Sequence, residues 1–199
     1  MEIDITKLTP DVRKLDDMRE VLADKDFAKN SPDMDLYFMY RKAKQENGLV
    51  HNITVTTANM LGFEFNKTKG HVHIGNFKEI YTVIEGEAIF MMQKGDGEKI
   101  VDVYAVKAVK GESAIIPEGY GHITINPSKT EDLKTGDWTS EKSKSDYSLF
   151  EKLQGACYYY ILRPGSGQAS WIKNENYKNV PELRFEESLK SLPNLDFLR

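Results

Sequence analysis

From Leu36 to Asn126 the chain is written in short runs of β-branched and aromatic residues, each closed by turn residues, with no helical stretch between them. The runs are Leu36 to Tyr40, His51 to Thr57, Gly62 to Asn66, Glu79 to Ile84, Glu87 to Gln93, Ile100 to Val106, Ser113 to Pro117 and Gly121 to Asn126. Parallel pairing needs long crossovers, so strands this close together pair antiparallel as a sandwich or barrel. Gly95-Asp96-Gly97 supplies a tight hairpin between two of them. The predicted class is all-β, a double-sheet jelly roll. Closing two sheets on each other removes exposed edges and leaves a cavity at one mouth, where inward side chains converge on a ligand.

Helices are expected only at the ends. Val12, Leu15, Met18 and Leu22 alternate with acids after Thr9-Pro10, a cap followed by a proline at the first helical position. They predict an amphipathic helix to about Ala23, within a helical extension covering about 1–35. The polar segment from Lys25 to Met34, with Ser31-Pro32, reads as a connection to the first strand. The barrel core is expected over about 36–173, interrupted by a polar excursion at 127–155 that contains Trp138. Cys157 to Leu162 reads as the returning strand, followed by the Pro164-Gly165-Ser166-Gly167 break. A helix from Pro181 to about Leu189 is expected in a helical tail spanning 174–199. All 199 residues are assigned to one domain.

Composition narrows the functional classes. A net charge of −4, with both signs mixed along the chain, argues against nucleic acid as a partner. The apolar runs are strand-sized and far below the roughly 20 residues of a membrane span. The start, Met1-Glu2-Ile3-Asp4-Ile5-Thr6, has neither a basic region nor an apolar core, and the single Cys157 cannot form an internal disulfide. The expected compartment is the cytoplasm, with Cys157 in a packing role.

The four histidines are His51, His71, His73 and His122. Residues two apart in a strand share a face, so an extended His71-Val72-His73 presents two imidazoles together. Glu79 follows a Gly75-Asn76 break, and His122 comes in on another strand after Pro117-Glu118-Gly119. Taken singly, each histidine is better read as strand surface or as a satisfied core residue. Together, three imidazoles and one carboxylate suit a divalent first-row transition metal and leave positions for water or substrate. His51 fits no ligand spacing and is left out.

These residues resemble the cupin superfamily and, within it, the cupin-type phosphoglucose isomerases. The first motif stands as His71-Val72-His73, then Glu79, then Gly86, with Phe65 where the motif expects a glycine. The second runs from Gly111 through Pro117 and Gly119 to His122 and Asn126. Thr68-Lys69-Gly70 before the histidines is similar to the isomerases' sugar-phosphate segment, and Glu79-Ile80-Tyr81 to their Glu-x-Tyr. Tyr37, Tyr40, Val55-Thr56-Thr57 and the stretch from Val12 to Met18 match further segments.

The resemblance implies a metal-dependent aldose-ketose isomerase that interconverts glucose 6-phosphate and fructose 6-phosphate. Its implied metal ligands are His71, His73, Glu79 and His122, and its cofactor is one divalent metal, iron first, then Mn, Ni or Zn. Glu79, Tyr81 and His122 are the implied catalytic residues. Tyr37, Thr57, Thr68, Gly70 and Arg163 are the implied substrate contacts, with Lys69 a further countercharge and Tyr120 a possible lining residue. Family tyrosines that contact substrate are expected near Arg163 and Trp171. The expected partner is a small sugar phosphate, and the expected assembly a homodimer. Two other functions use the same ligands: an Fe-dependent oxygenase, and a sugar-binding cupin without turnover.

Overall fold

A computed structural model describes residues 3–199; Met1 and Glu2, part of the amino terminus read above, lie outside the described residues. In chain order, β1 (Asp11–Lys14) and α1 (Lys25–Asn30) lead to the long hairpin of β2 (Asp35–Glu46) and β3 (Leu49–Thr56). Three short strands follow, β4 (Met60–Leu61), β5 (Glu64–Phe65) and β6 (Val72–His73). Next come β7 (Glu79–Glu85), β8 (Glu87–Asp96), β9 (Lys99–Val109), β10 (Ser113–Ile116), β11 (Gly121–Ile125) and β12 (Leu133–Ser140). The chain closes with β13 (Ser145–Asp146), α2 (Ser148–Lys152), β14 (Tyr158–Leu162), β15 (Ala169–Lys173) and β16 (Arg184–Glu186).

The larger sheet runs β1-β2-β3-β12-β7-β10, and a second runs β11-β8-β9-β16. Isolated bridges Lys67↔Ile125 and His71↔His122 extend the second sheet through the segment that leads into β6. Facing layers of this kind form the jelly roll that the strand pattern predicts. The central strands carry the core: Ala88 to Gln93 of β8 and all of β11 are buried. One cluster joins Leu36, Phe65, Ile89, Met91, Ile123, Ile125 and Phe150, and a second joins Val83, Phe90, Met92, Val106, Ile116 and Leu133. Cys157 packs in the first of these and is fully buried, its thiol pushed up to about 12 by burial.

Three expectations are corrected. The helix expected from Thr9 to Ala23 is instead β1, a turn, and a short 3-10 helix at Arg19–Val21. The free edge of β2 offers Val12 and its neighbours a ladder, and that pairing outweighs a helical spacing of apolar residues. The one α-helix near this end is α1, in the segment read as a connection, where Asp24 caps the Phe27 N–H at 2.9 Å. The helical tail is likewise absent among the described residues. Arg184–Glu186 pairs parallel to β9, with Arg184 gripping both Asp102 oxygens, and only Leu195–Leu198 turns as a 3-10 helix. The expected excursion at 127–155 holds β12, an interior strand hydrogen-bonded to β3 on one side and β7 on the other. No helix among the described residues is long and apolar enough to cross a membrane.

Candidate metal centre

Backbone pairing assembles the four ligands. His71 and His122 exchange hydrogen bonds, the His122 amide donating to the His71 carbonyl at 3.0 Å and the reverse bond measuring 3.3 Å. Their rings sit 4.4 Å apart, and His73, two residues on and on the same face, stacks at 5.1 Å from His71. Gly70 makes this approach possible. Its φ is +88°, and a Cβ there would meet the Phe150 ring at 2.4 Å. Glu79 enters from the opposite sheet at the start of β7.

The ligating atoms of His71, His73, Glu79 and His122 all lie within 4.8 Å of one another. Glu79 Oε2 is 3.2 Å from His73 Nε2 and 3.1 Å from His122 Nε2. Both Glu79 and His122 are deeply buried, at 4% and 2% exposed. Yet Glu79 Oε2 and both ring nitrogens of His122 have no aligned hydrogen-bond partner. Buried polar atoms are almost always satisfied, and Glu79 Oε2 and His122 Nε2, 3.1 Å apart without aligned partners, suit a cation between them. The donor set, three imidazoles and a carboxylate, fits a divalent transition metal. The Ser143 hydroxyl contacts His73 Nδ1 at 3.0 Å, which fixes the ring and aims Nε2 at the centre.

Electrostatics follow from burial and crowding. Burial opposes the Glu79 charge, but the adjacent His122 and His73 imidazoles outweigh it and hold the carboxyl well below the usual carboxylate range. Burial, then the neighbouring His122, pushes His71 well below an ordinary histidine, so its imidazole is neutral and able to ligate. Burial, then the charge of Glu79, raises Tyr81 well above an ordinary phenol, keeping its hydroxyl proton available to Glu79. Asp137 is pushed well up by burial and by Glu79, against the pull of Asn52.

The centre opens on a cavity of about 200 Å³. Its lining includes the expected Tyr37, Thr68, Gly70, Glu79 and Tyr81. Thr57 and Arg163 stand elsewhere: the Thr57 hydroxyl donates to the Leu36 carbonyl at 2.9 Å, and exposed Arg163 bonds Ser170. Thr54, three residues earlier on β3, lines the cavity instead. Lys69 is no free countercharge, since its ammonium is held by Glu20 at 2.7 Å and Glu151 at 2.8 Å. Tyr120 donates to Asp102 at 2.6 Å, away from the cavity. Trp171 packs on Tyr160, 4.8 Å between centroids, and Tyr147, 5.5 Å from His71, joins Tyr37 and Tyr81 in the cavity.

Sequence reasoning missed Arg13, Asn52, Asp137, Ser143 and Tyr147. The Arg13 guanidinium lies over the Tyr147 ring at 5.8 Å, beside Tyr37, and its Nε has no partner. Asp137 was hidden because its strand, Leu133–Ser140, is too polar to look like one, and Ser143 and Tyr147 lie outside the strands, where no periodic signal points inward.

A jelly-roll barrel with three imidazoles and a carboxylate converging at one mouth defines a cupin-type barrel with a donor set that fits a metal. The family described as Glucose-6-phosphate isomerase (GPI) matches residues 12–181, and the chain belongs to that family, in its cupin-type form. No curated protein sequence matches it significantly. Among solved structures, oxalate oxidase in complex with the substrate analogue glycolate is 22% identical with a TM-score of 0.39, covering 50% of this chain and 46% of that one. Oxalate decarboxylase is 16% identical with a TM-score of 0.44, covering 56% and 28%. Vicilin from Solanum lycopersicum (tomato) is 13% identical with a TM-score of 0.42, covering 57% and 31%. The chain thus spans less than half the length of each of these three.

Proposed function

We propose that this protein interconverts glucose 6-phosphate and fructose 6-phosphate, using one divalent transition metal, iron first, held by His71, His73, Glu79 and His122. The observation that carries the reading is the convergence of those four side chains, with orphaned polar atoms, at one end of a cavity whose other end is lined by hydroxyl donors. Membership of the isomerase family supports the choice of reaction.

When bound, the metal supplies Lewis-acid polarisation of the oxygens on sugar carbons 1 and 2. Glu79 is the carboxylate in reach of those carbons, and it takes a proton from one and returns it to the other. That role requires an approach of about 3 Å to the carbon-bound hydrogen. Tyr81 lines the cavity with Glu79 and, held well above an ordinary phenol by burial and the Glu79 charge, keeps its proton. At the other end, the Tyr37 oxygen accepts from the Lys69 amide at 3.2 Å, and Thr68 Oγ1 accepts from the Thr124 amide at 3.0 Å. Each hydroxyl therefore keeps its own proton for a phosphate oxygen. Arg13 is the nearby cation that offsets phosphate charge.

Purified protein is assayed for conversion of glucose 6-phosphate before and after chelation, then after addition of Fe, Mn, Ni or Zn. The expected result is loss on chelation and recovery with metal. Full activity in metal-free protein overturns the metal's part. Oxygen uptake without isomerisation favours the oxygenase reading, and binding without turnover a sugar-binding protein.

A further inference from the structure

Three strands of the larger sheet lay one polar row across the cavity floor. Asp137 on β12 stands opposite Asn52 on β3 and opposite Tyr81 on β7, and all three line the cavity. Inward side chains recur every second residue, so the flanking rows follow from the register. On one side is the pair Thr54 and Thr135; on the other are Val50, Thr139 and Glu79. Tyr37 pairs with Thr56, one row beyond Thr54. The Asn52–Asp137 row therefore lies between the hydroxyl end of the cavity and the metal end.

That row is built, not incidental. Asp137 is 4% exposed, and a buried carboxyl is costly without a partner. Asn52 Nδ2 donates to Asp137 Oδ2 at 2.7 Å. The orientation of the Asn52 amide is itself fixed, because its Oδ1 accepts from the Lys42 N–H at 2.9 Å. Lys42 has a φ of +52° where the β2–β3 register shifts, a backbone state rare for a residue with a side chain. Strain of this kind persists where the surroundings enforce it, and here it holds Asn52 and, through it, Asp137. The Asn52 contact uses one of the several hydrogen-bonding positions of the carboxyl group.

The geometry points to Asp137, anchored by Asn52, as a specificity-determining group that hydrogen-bonds the hydroxyls on the central carbons of an acyclic sugar phosphate. The placement of that substrate rests on the isomerase reading above. A chain whose phosphate on carbon 6 is gripped near Tyr37 and Thr68, and whose carbons 1 and 2 lie beside Glu79, lays carbons 3 to 5 over this row. Those carbons offer hydroxyls, which a fixed carboxyl group binds and an apolar floor does not.

The test is calorimetric, on metal-loaded protein, with glucitol 6-phosphate as an unreactive acyclic hexitol phosphate and with inorganic phosphate. Asp137→Leu is expected to weaken the hexitol phosphate about tenfold while leaving inorganic phosphate within about twofold, and Asp137→Asn to recover most of the loss. With the wild-type protein, at least one hexitol phosphate lacking the hydroxyl on carbon 3, 4 or 5 is expected to bind about tenfold more weakly. In Asp137→Leu the same deletion adds no further loss. The wild-type comparison needs no variant, so it decides the matter if Asp137→Leu does not fold. Equal weakening of both ligands in the variant, or three deoxy analogues that bind wild type as well as the parent, overturns the inference. If glucose 6-phosphate is isomerised while the deoxy analogues bind undiminished, this inference alone fails. If nothing is isomerised although the hexitol phosphate binds, the isomerase reading fails instead.

Discussion

Two clusters of charged side chains are buried in this barrel, and they are partnered in opposite ways. Lys67 and Glu64 are each 1% exposed and meet at 2.5 Å. The Lys67 ammonium also donates to the Val21 carbonyl at 2.9 Å and lies over the Tyr159 ring at 4.8 Å, while Glu64 Oε2 accepts from the Ala23 amide at 2.9 Å. Cation and anion answer each other, and the pair ties the amino-terminal segment to the barrel. At the metal centre, Glu79 and His122 are nearly as deeply buried, but the Glu79 carboxylate meets only imidazoles, and Glu79, His71 and His73 open on a cavity. Burial of charge alone is a poor guide to function; whether a buried charge meets an opposite charge in a closed core or opens on a cavity separates a clamp from a binding site.

Variants in the two clusters should fail in different ways. His122→Ala should abolish metal retention, measured by elemental analysis, and lower turnover more than about a thousandfold, while the metal-free variant melts no lower than the metal-free parent. A fully active variant breaks the contrast at its functional end. Lys67→Met should do the reverse: urea unfolding should show a loss of about 3–5 kcal/mol from the stranded Glu64 carboxylate, with metal content unchanged. Pairing it with Glu64→Leu should restore most of that loss. Between the extremes, Ser143→Ala removes the contact that orients His73 and should weaken metal binding about tenfold without moving the unfolding midpoint.

The smallest effect belongs to His51, a partly buried histidine on the outer side of β3, packed 4.7 Å from Trp138. Burial, then the nearby Lys44, depresses it from 6.5 to about 4. The unfolded chain therefore takes up the proton first. The His51 contribution to stability is complete above about pH 6.5 and is lost as pH falls toward about 4. Replacing His51 with Leu should flatten the decline in stability over that window, read by Trp138 fluorescence during unfolding. An unchanged slope removes His51 from the account.

The strands from Leu36 to Asn126 and the candidate ligands His71, His73, Glu79 and His122 were legible because their signals are local. β-branched runs end in turns, two histidines share a strand face, and glycine and proline punctuate the approach to His122. The stretch Leu133-Lys134-Thr135-Gly136-Asp137-Trp138-Thr139-Ser140 gave no such signal. Its inward residues Thr135, Asp137 and Thr139 are polar, and Asp137 and Thr139 line the cavity, so an interior strand carries the composition of a loop. The resemblance pointed to Thr57, and only the register of β3 against β2 and β12 shows that Thr54 is the threonine that reaches the cavity.

Local pattern alone was enough to read this chain as an antiparallel barrel and to single out four side chains that together could hold a metal. Both are written in spacings of a few residues. That residues 11–14 and 184–186 extend sheets, and that Asp137 stands between Asn52 and Tyr81, is visible only in the folded chain. Strand pairing is a contact between distant segments, and its free energy depends on which edges and faces the rest of the chain leaves free.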